Sequence, residues 1–112
     1  MEVAHVRSIT SISGASNHDG TNYGTGFTYR GNVTTTTRYT NAATPSGALS
    51  NTMTYDMAGN LRTESADCCV TKTYNYSDTT EFSQPDSVVR GSVTTLTTEA
   101  TYDSHTSLLA TS

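Results

Sequence analysis

Apolar and polar residues alternate with a period of two in several short runs of this 112-residue chain, and clusters of Gly, Asn, Asp and Ser separate the runs. Val70 to Tyr76 shows it most plainly: Val70, Lys72, Tyr74 and Tyr76 point one way and Thr71, Thr73 and Asn75 the other, as in a strand with two distinct faces. Val3 to Ile12, Phe27 to Arg30, Val33 to Thr40, Leu49 to Asp56, Leu61 to Glu64, Val88 to Arg90, Val93 to Tyr102 and Leu108 to the C-terminus read as further strands. Gly14 to Gly26 is loop, Gly31-Asn32 a break, and Asn41 to Gly47 a turn with Pro45 where no ladder N–H is needed. Ser77 to Pro85 is a connection with a short strand at Glu81-Phe82. No segment combines a helix start, an apolar stripe and a stop. The pattern predicts an all-β fold, a meander of antiparallel hairpins.

The turn between Tyr55 and Leu61 has a visible cause. Asp56 can accept hydrogen bonds from N–H groups two or three residues on, and Gly59 supplies the positive φ of the reversal. Tyr55 and Leu61 then meet across the turn. The pattern returns: Thr-Tyr-Asp occurs at Thr54-Tyr55-Asp56 and Thr101-Tyr102-Asp103, with Leu61 and Leu108 each six residues after its Tyr. Tyr29 and Tyr76 share the 47-residue offset of these two copies, whereas RGNVTT from Arg30 returns as RGSVTT from Arg90 after 60 residues. Two offsets imply tandem hairpin units that differ by insertions in their turns.

Composition sharpens the picture. Only 33% of residues are hydrophobic, against about 45–50% in ordinary domains (a share that counts Gly), and 24 Thr and 14 Ser make up the difference. Seven Tyr, two Pro and a net charge of −4 do not describe a disordered chain. Thr and Tyr favour strands, so one face of the sheet is rich in hydroxyls. A single Lys and scattered Arg exclude a nucleic-acid backbone as partner, and no apolar run approaches the roughly 20 residues of a membrane span. The first residues have neither the basic nor the apolar region of a secretory signal.

Tyr55-Asp56-Met57-Ala58-Gly59-Asn60-Leu61 resembles the YD repeat of the RHS family of bacterial proteins. A degenerate copy starts at Tyr102-Asp103 and keeps Leu108; Tyr29-Arg30-Gly31-Asn32-Val33, Asp67-Cys68-Cys69 and Pro85 to Gly91 resemble segments that separate such motifs. The resemblance covers the chain from about His18 onward. It implies hairpins laid side by side into a curved or spiralling sheet, part of a shell that encloses a toxic C-terminal domain or forms the body of a secreted or cell-surface protein. It also implies that residues 1–112, about two imperfect repeat units, belong to a longer chain. No stretch matches the family's self-cleaving aspartate site.

In such an array a hairpin borrows its core from its neighbour. Tyr29, Tyr55, Tyr76 and Tyr102 are expected to stack between units, with Val33, Leu61, Val93 and Leu108 filling between them, and the Thr-rich face to be wet. Unpaired edges at both ends would make the isolated chain self-associate or fold only in part.

Few residues suggest chemistry. Cys68-Cys69 admits a vicinal disulfide, a metal or a nucleophile, but the ring would be strained and the flanking Asp67 has the wrong charge for a thiolate, which favours packed thiols or a local bridge. His5, His18 and His105 have no zinc spacing, and His18-Asp19 reads more readily as a turn cap beside an exposed His than as an acid/base dyad. Asp56, Asp67, Asp86, Asp103 and the four Glu are the candidates for a hydrolase carboxylate pair, with Asp56 and Asp103 already explained by turns. The sequence therefore predicts a non-catalytic module without a cofactor or metal. Its rival is a glycan-binding or adhesion module with at least two coplanar, exposed tyrosines.

Overall fold

The computed structural model describes residues 9–14, 18–67, 70–91, 96–103, 105–106 and 108–112. The chain is all-β. Strands β1 (Thr35–Asn41), β2 (Ser46–Tyr55), β3 (Leu61–Ala66), β4 (Thr71–Tyr76), β5 (Pro85–Arg90) and β6 (Leu96–Glu99) form one antiparallel sheet in sequence order. After Ala100, β7 (Thr101–Tyr102) pairs with β8 (Leu109–Thr111) as a separate two-stranded ribbon. Among the described residues the helical content is one 3₁₀ turn, Asp78–Thr80, capped by the Ser77 hydroxyl.

Residues paired in register share a face, so the pairing sorts the side chains. One face carries Thr35, Thr37, Ser50, Thr52, Thr54, Thr63, Ser65, Thr71, Thr73, Ser87 and Thr97. Its hydroxyls bond across strands: Thr37 to Ser50 at 3.1 Å, Thr54 to Thr63 at 2.6 Å and Ser65 to Thr71 at 3.1 Å. The opposite face carries Leu49, Met53, Tyr55, Tyr74, Tyr76, Val88 and Leu96, interspersed with Arg38, Glu64, Lys72 and Arg90. This alternation separates the sheet into a hydroxyl face, which also carries Tyr39, Val89 and Glu99, and a tyrosine face, which carries Tyr55, Tyr74 and Tyr76 together with Thr36 and Thr98.

No apolar side chain among the described residues is buried; only Asp56 and Thr80 are. The chain exposes 7746 Å², against about 6,000 Å² for a compact monomer of its mass. Its radius of gyration is 16.5 Å, where about 13 Å is usual for this length. These are the dimensions of a single-layer sheet. Strand pairing and turns, with half-buried side chains, hold the molecule where other domains have a core.

Several expectations are corrected. Phe27 to Arg30 is not a strand, and Tyr29, expected to stack between units, is 78% exposed, because the Arg30 contacts described below tie this irregular segment back to the glycine-rich loop before it. Glu81-Phe82 is not a strand either: both residues have positive φ, 50° and 58°, and close the 3₁₀ turn. Pro85 belongs to β5 as its first residue. Val33 and Leu108, expected as filling, are 54% and 67% exposed, since no layer lies over them. Of the strand expected over Val3 to Ile12, residues 3–8 lie outside the described residues, and Thr10 forms a lone parallel bridge to Asp56. Val93, His5, Cys68 and Cys69 also lie outside them.

Candidate functional site: a row of tyrosines and aspartate turns

The best-formed part of the molecule is the turn joining β2 to β3. Asp56 is fully buried, and its Oδ1 accepts from the N–H groups of Ala58 at 3.0 Å and Asn60 at 2.9 Å, while Oδ2 accepts from Asn60 Nδ2 at 3.1 Å. The Asp56 backbone N–H bonds to the Asn60 carbonyl at 3.0 Å and its carbonyl accepts from the Gly59 N–H at 3.0 Å, closing the turn twice more. Gly59 sits at φ +91°, where an L side chain would be strained. Asp, Gly and Asn of the motif therefore have separate tasks: acceptor, reversal and second donor.

Three outside segments bury this turn. Thr10 bonds to the Tyr55 carbonyl and the Met57 N–H at 3.1 and 2.9 Å. Asn60 Nδ2 also donates to the Phe82 carbonyl at 2.7 Å, tying the turn to the loop between β4 and β5. Arg30 spreads its guanidinium over backbone carbonyls, donating to those of Phe27 at 2.6 Å, Gly24 at 2.8 Å, Tyr23 and Met57. It also lies 5.3 Å from the centroid of the Phe27 ring. Arg30 thus pins the glycine-rich loop to the Asp56 turn. Gly31 follows at φ +74°, and Asn32 is half-buried just ahead of β1.

Beside this turn runs a row of tyrosines. The Tyr55 hydroxyl donates to the carbonyl of Val33, just ahead of β1, at 2.8 Å. Tyr76 donates to Leu61, the first residue of β3, at 3.0 Å, and Tyr102 to Pro85, the first residue of β5, at 3.1 Å. Every one of these tyrosines follows a shift in strand register, between Thr54 and Tyr55, Asn75 and Tyr76, and Thr101 and Tyr102. In each case one residue of the returning strand, Arg62, Asp86 or Ala110, has no partner in register. Burial, aided by the negative charge of Glu64 near Tyr55 and of Asp56 near Tyr76, raises the pKa of Tyr55 and Tyr76. Arg62 packs its guanidinium 5.7 Å from the Tyr76 ring centroid.

The second Thr-Tyr-Asp turn repeats the local chemistry in the open. Asp103 Oδ1 accepts from the N–H groups of His105 at 3.0 Å and Thr106 at 2.9 Å, and from the Thr106 hydroxyl at 3.0 Å, bonds that lower its pKa. Asp103 is nevertheless exposed. Asp19 likewise caps a turn through Thr21 and Asn22, with its pKa lowered first by the Asn22 side chain. His18 Nε2 faces the Tyr23 carbonyl at 3.0 Å.

Sequence reasoning did not foresee the Arg30 contacts, the tyrosine hydroxyl bonds or a polar cluster around Glu64 on the tyrosine face. Glu64 accepts from Asn51 at 2.9 Å and from Lys72 at 3.1 Å, which lower its pKa in that order of importance, and Tyr74 approaches at 3.5 Å. The spacing of Glu64 and Lys72 on adjacent strands was the available signal. Asn51, Glu64 and Lys72 border a shallow groove of about 470 Å³ shared with Arg38, Leu49 and Asp67. Among the described residues no group of His, Cys, Asp and Glu is arranged to hold a metal, and no helix is long and apolar enough to cross a membrane. Comparison of the chain with protein-family models, with curated proteins and with solved structures gives no match.

Proposed function

We propose that this chain is a non-catalytic structural repeat module, a run of hairpins from the wall of an RHS-like β-shell on a secreted or bacterial cell-surface protein. Its partners are then the neighbouring repeats of the parent polypeptide and a C-terminal toxin or effector domain that the shell encloses or displays. The supporting observation is the bond from a tyrosine hydroxyl to a carbonyl near the start of an earlier strand, made at the β2–β3, β4–β5 and β7–β8 hairpins and each time beside a bulge. Such a unit is indifferent to its turn: the connection runs over residues 56–60 in the β2–β3 hairpin and 77–84 in the β4–β5 hairpin. Each bulge adds local twist, which suits a wall that curves. A layer with no buried apolar side chain among the described residues suits a module whose core is completed by what lies next to it.

The test is to lengthen the chain by one adjoining YD unit at each end of its reading frame and to follow urea unfolding. The proposal expects a higher midpoint and a steeper transition than in the 112-residue chain. An unchanged, already steep transition would overturn it. A glycan-binding module is the second reading, favoured by the exposure of Tyr29 (78%) and Tyr39 (48%). Saccharide-dependent quenching of tyrosine fluorescence, abolished by Tyr29→Ala and Tyr39→Ala, would put it first.

A further inference from the structure

Among the described residues, every cation at a paired strand position lies on the tyrosine face: Arg38, Lys72 and Arg90. Glu64 is the one carboxylate in register with them, and the hydroxyl face carries Glu99 and no cation. A chain of net charge −4 thus presents one basic face. Glu64 is already engaged, by Lys72 at 3.1 Å and Asn51 at 2.9 Å. Lys72 and Arg90 stand directly opposite each other, like charges that destabilise a sheet, and Glu64 offsets only the first. The Arg38 and Arg90 side chains are exposed and make no hydrogen bond or ion pair among the described residues. Asp67 borders the groove with Arg38, but its carboxylate accepts from the Ser50 N–H at 2.8 Å and forms no ion pair. Each unpaired guanidinium has an exposed leucine as its cross-strand neighbour. Arg38 is in register with Leu49, 50% exposed, and Arg90 with Leu96, 67% exposed.

We infer that the tyrosine face is the docking surface for an acidic polypeptide segment, which sets a carboxylate on Arg38 and on Arg90 and an apolar side chain on the leucine beside each. A guanidinium takes a carboxylate through two parallel N–H···O bonds, and an apolar contact over the adjacent leucine keeps water from the pair. The two arginine–leucine stations lie between β1 and β2 and between β5 and β6, four strand spacings apart, and are offset along β2 by the distance from Leu49 to Met53. That separation is about 23 Å, too far for one small ligand and within the length of about four helical turns. A nucleic acid suits the face less well, because its evenly spaced phosphates would meet Glu64 between the stations and leave both leucines in water. A second copy of this face brings the same surplus of cations. The inference concerns what covers the sheet and does not rest on the shell reading, which the lengthened chain tests separately.

Methyl NMR of the 112-residue chain, titrated with a soluble synthetic amphipathic peptide of about fifteen residues built from Glu, Leu and Ala, makes the test. The peptide is expected to shift the methyl groups of Leu49, Val88 and Leu96 and to leave those of Thr52, Thr63 and Thr73, on the hydroxyl face, in place. Arg38→Gln and Arg90→Gln are each expected to weaken binding about tenfold, and replacing every Glu of the peptide by Gln about 100-fold. The Arg38→Glu, Arg90→Glu double variant should lose this peptide and gain one with Lys in place of Glu, an exchange that a misfolded chain would not make; circular dichroism confirms that its sheet is kept. Several results would overturn the inference: no binding of the Glu peptide, equal binding of its Gln counterpart, indifference to both arginine substitutions, or shifts on the hydroxyl face instead. Tighter binding of a single-stranded oligonucleotide than of the peptide would do so too, as would self-association of the free chain through the same leucine methyls.

Discussion

Two turns of this molecule share the sequence Thr-Tyr-Asp and the same local chemistry, yet Asp56 is wholly buried and Asp103 is exposed. In both, one carboxylate oxygen accepts two backbone N–H groups within the next four residues. In both, the tyrosine reaches back to a carbonyl near the start of an earlier strand. The difference is in the surroundings. Thr10, Arg30 and the Phe82 carbonyl close over the Asp56 turn, Thr10 on Tyr55 and Met57, Arg30 on Met57 and the Phe82 carbonyl on Asn60. The Asp103 turn lacks the Gly-Asn pair, and Leu108 beside it is 67% exposed. The motif sets the shape of the turn, and the neighbouring segments make it part of a solid.

Substitution can break this comparison. Asp56→Ala leaves the N–H groups of Ala58 and Asn60 and the Asn60 side chain without their buried acceptor and is expected to destabilise the chain by about 3 kcal/mol. Asp103→Ala, in water, is expected to have a small fraction of that effect. Urea midpoints of the two variants make the test, and equal shifts would show that burial adds nothing to the motif. Asn60→Ala removes both the second donor to Asp56 and the tie to Phe82, so a loss of about 2 kcal/mol is expected. Native-state hydrogen exchange should show faster exchange in the turns at 56–60 and 77–84 together.

The tyrosines give smaller effects. Tyr55→Phe, Tyr76→Phe and Tyr102→Phe each lose one hydroxyl bond to a carbonyl, worth about 1 kcal/mol. If the row is a set of equivalent clamps, the three denaturation midpoints should fall by similar amounts. The smallest effect is on pH dependence. Tyr55 and Tyr76 have pKa values raised above the ordinary value near 10, so the folded chain holds its phenolic protons where the unfolded chain releases them. Their contribution is complete below about pH 10 and falls as pH rises toward the folded pKa. Denaturation midpoints measured from pH 8 to 11 should decline, and less steeply in the Tyr55→Phe, Tyr76→Phe double variant.

The meander was legible where alternation was strict. Val70 to Tyr76 and Leu49 to Asp56 became β4 and β2 within a few residues, because a two-residue period with Thr on one side admits no helix. The Asp56 turn was legible for a similar reason, since Asp, Gly and Asn at those positions each have one backbone task. Phe27 to Arg30 misled: it has strand-forming residues, but the guanidinium at its end finds four carbonyls in turns, a tertiary preference that spacing does not reveal. Glu81-Phe82 failed because positive φ at two non-glycine residues is set by the fold around them. The lack of a core was foreshadowed by the Thr and Ser content. Which side chains share a face followed only from the strand register.

The tyrosine-to-carbonyl bond also has a consequence for how such a chain can change over generations. Tyr55, Tyr76 and Tyr102 each act as a gauge that spans to a fixed place near the start of an earlier strand. Adding or deleting a residue within a strand would carry the hydroxyl away from its acceptor and turn hydroxyl-face residues to the tyrosine face. Insertions placed between the tyrosine and the returning strand leave the gauge undisturbed. Descent should therefore write its length differences into the turns and keep the strands in step, much as the 47- and 60-residue offsets of this sequence already show.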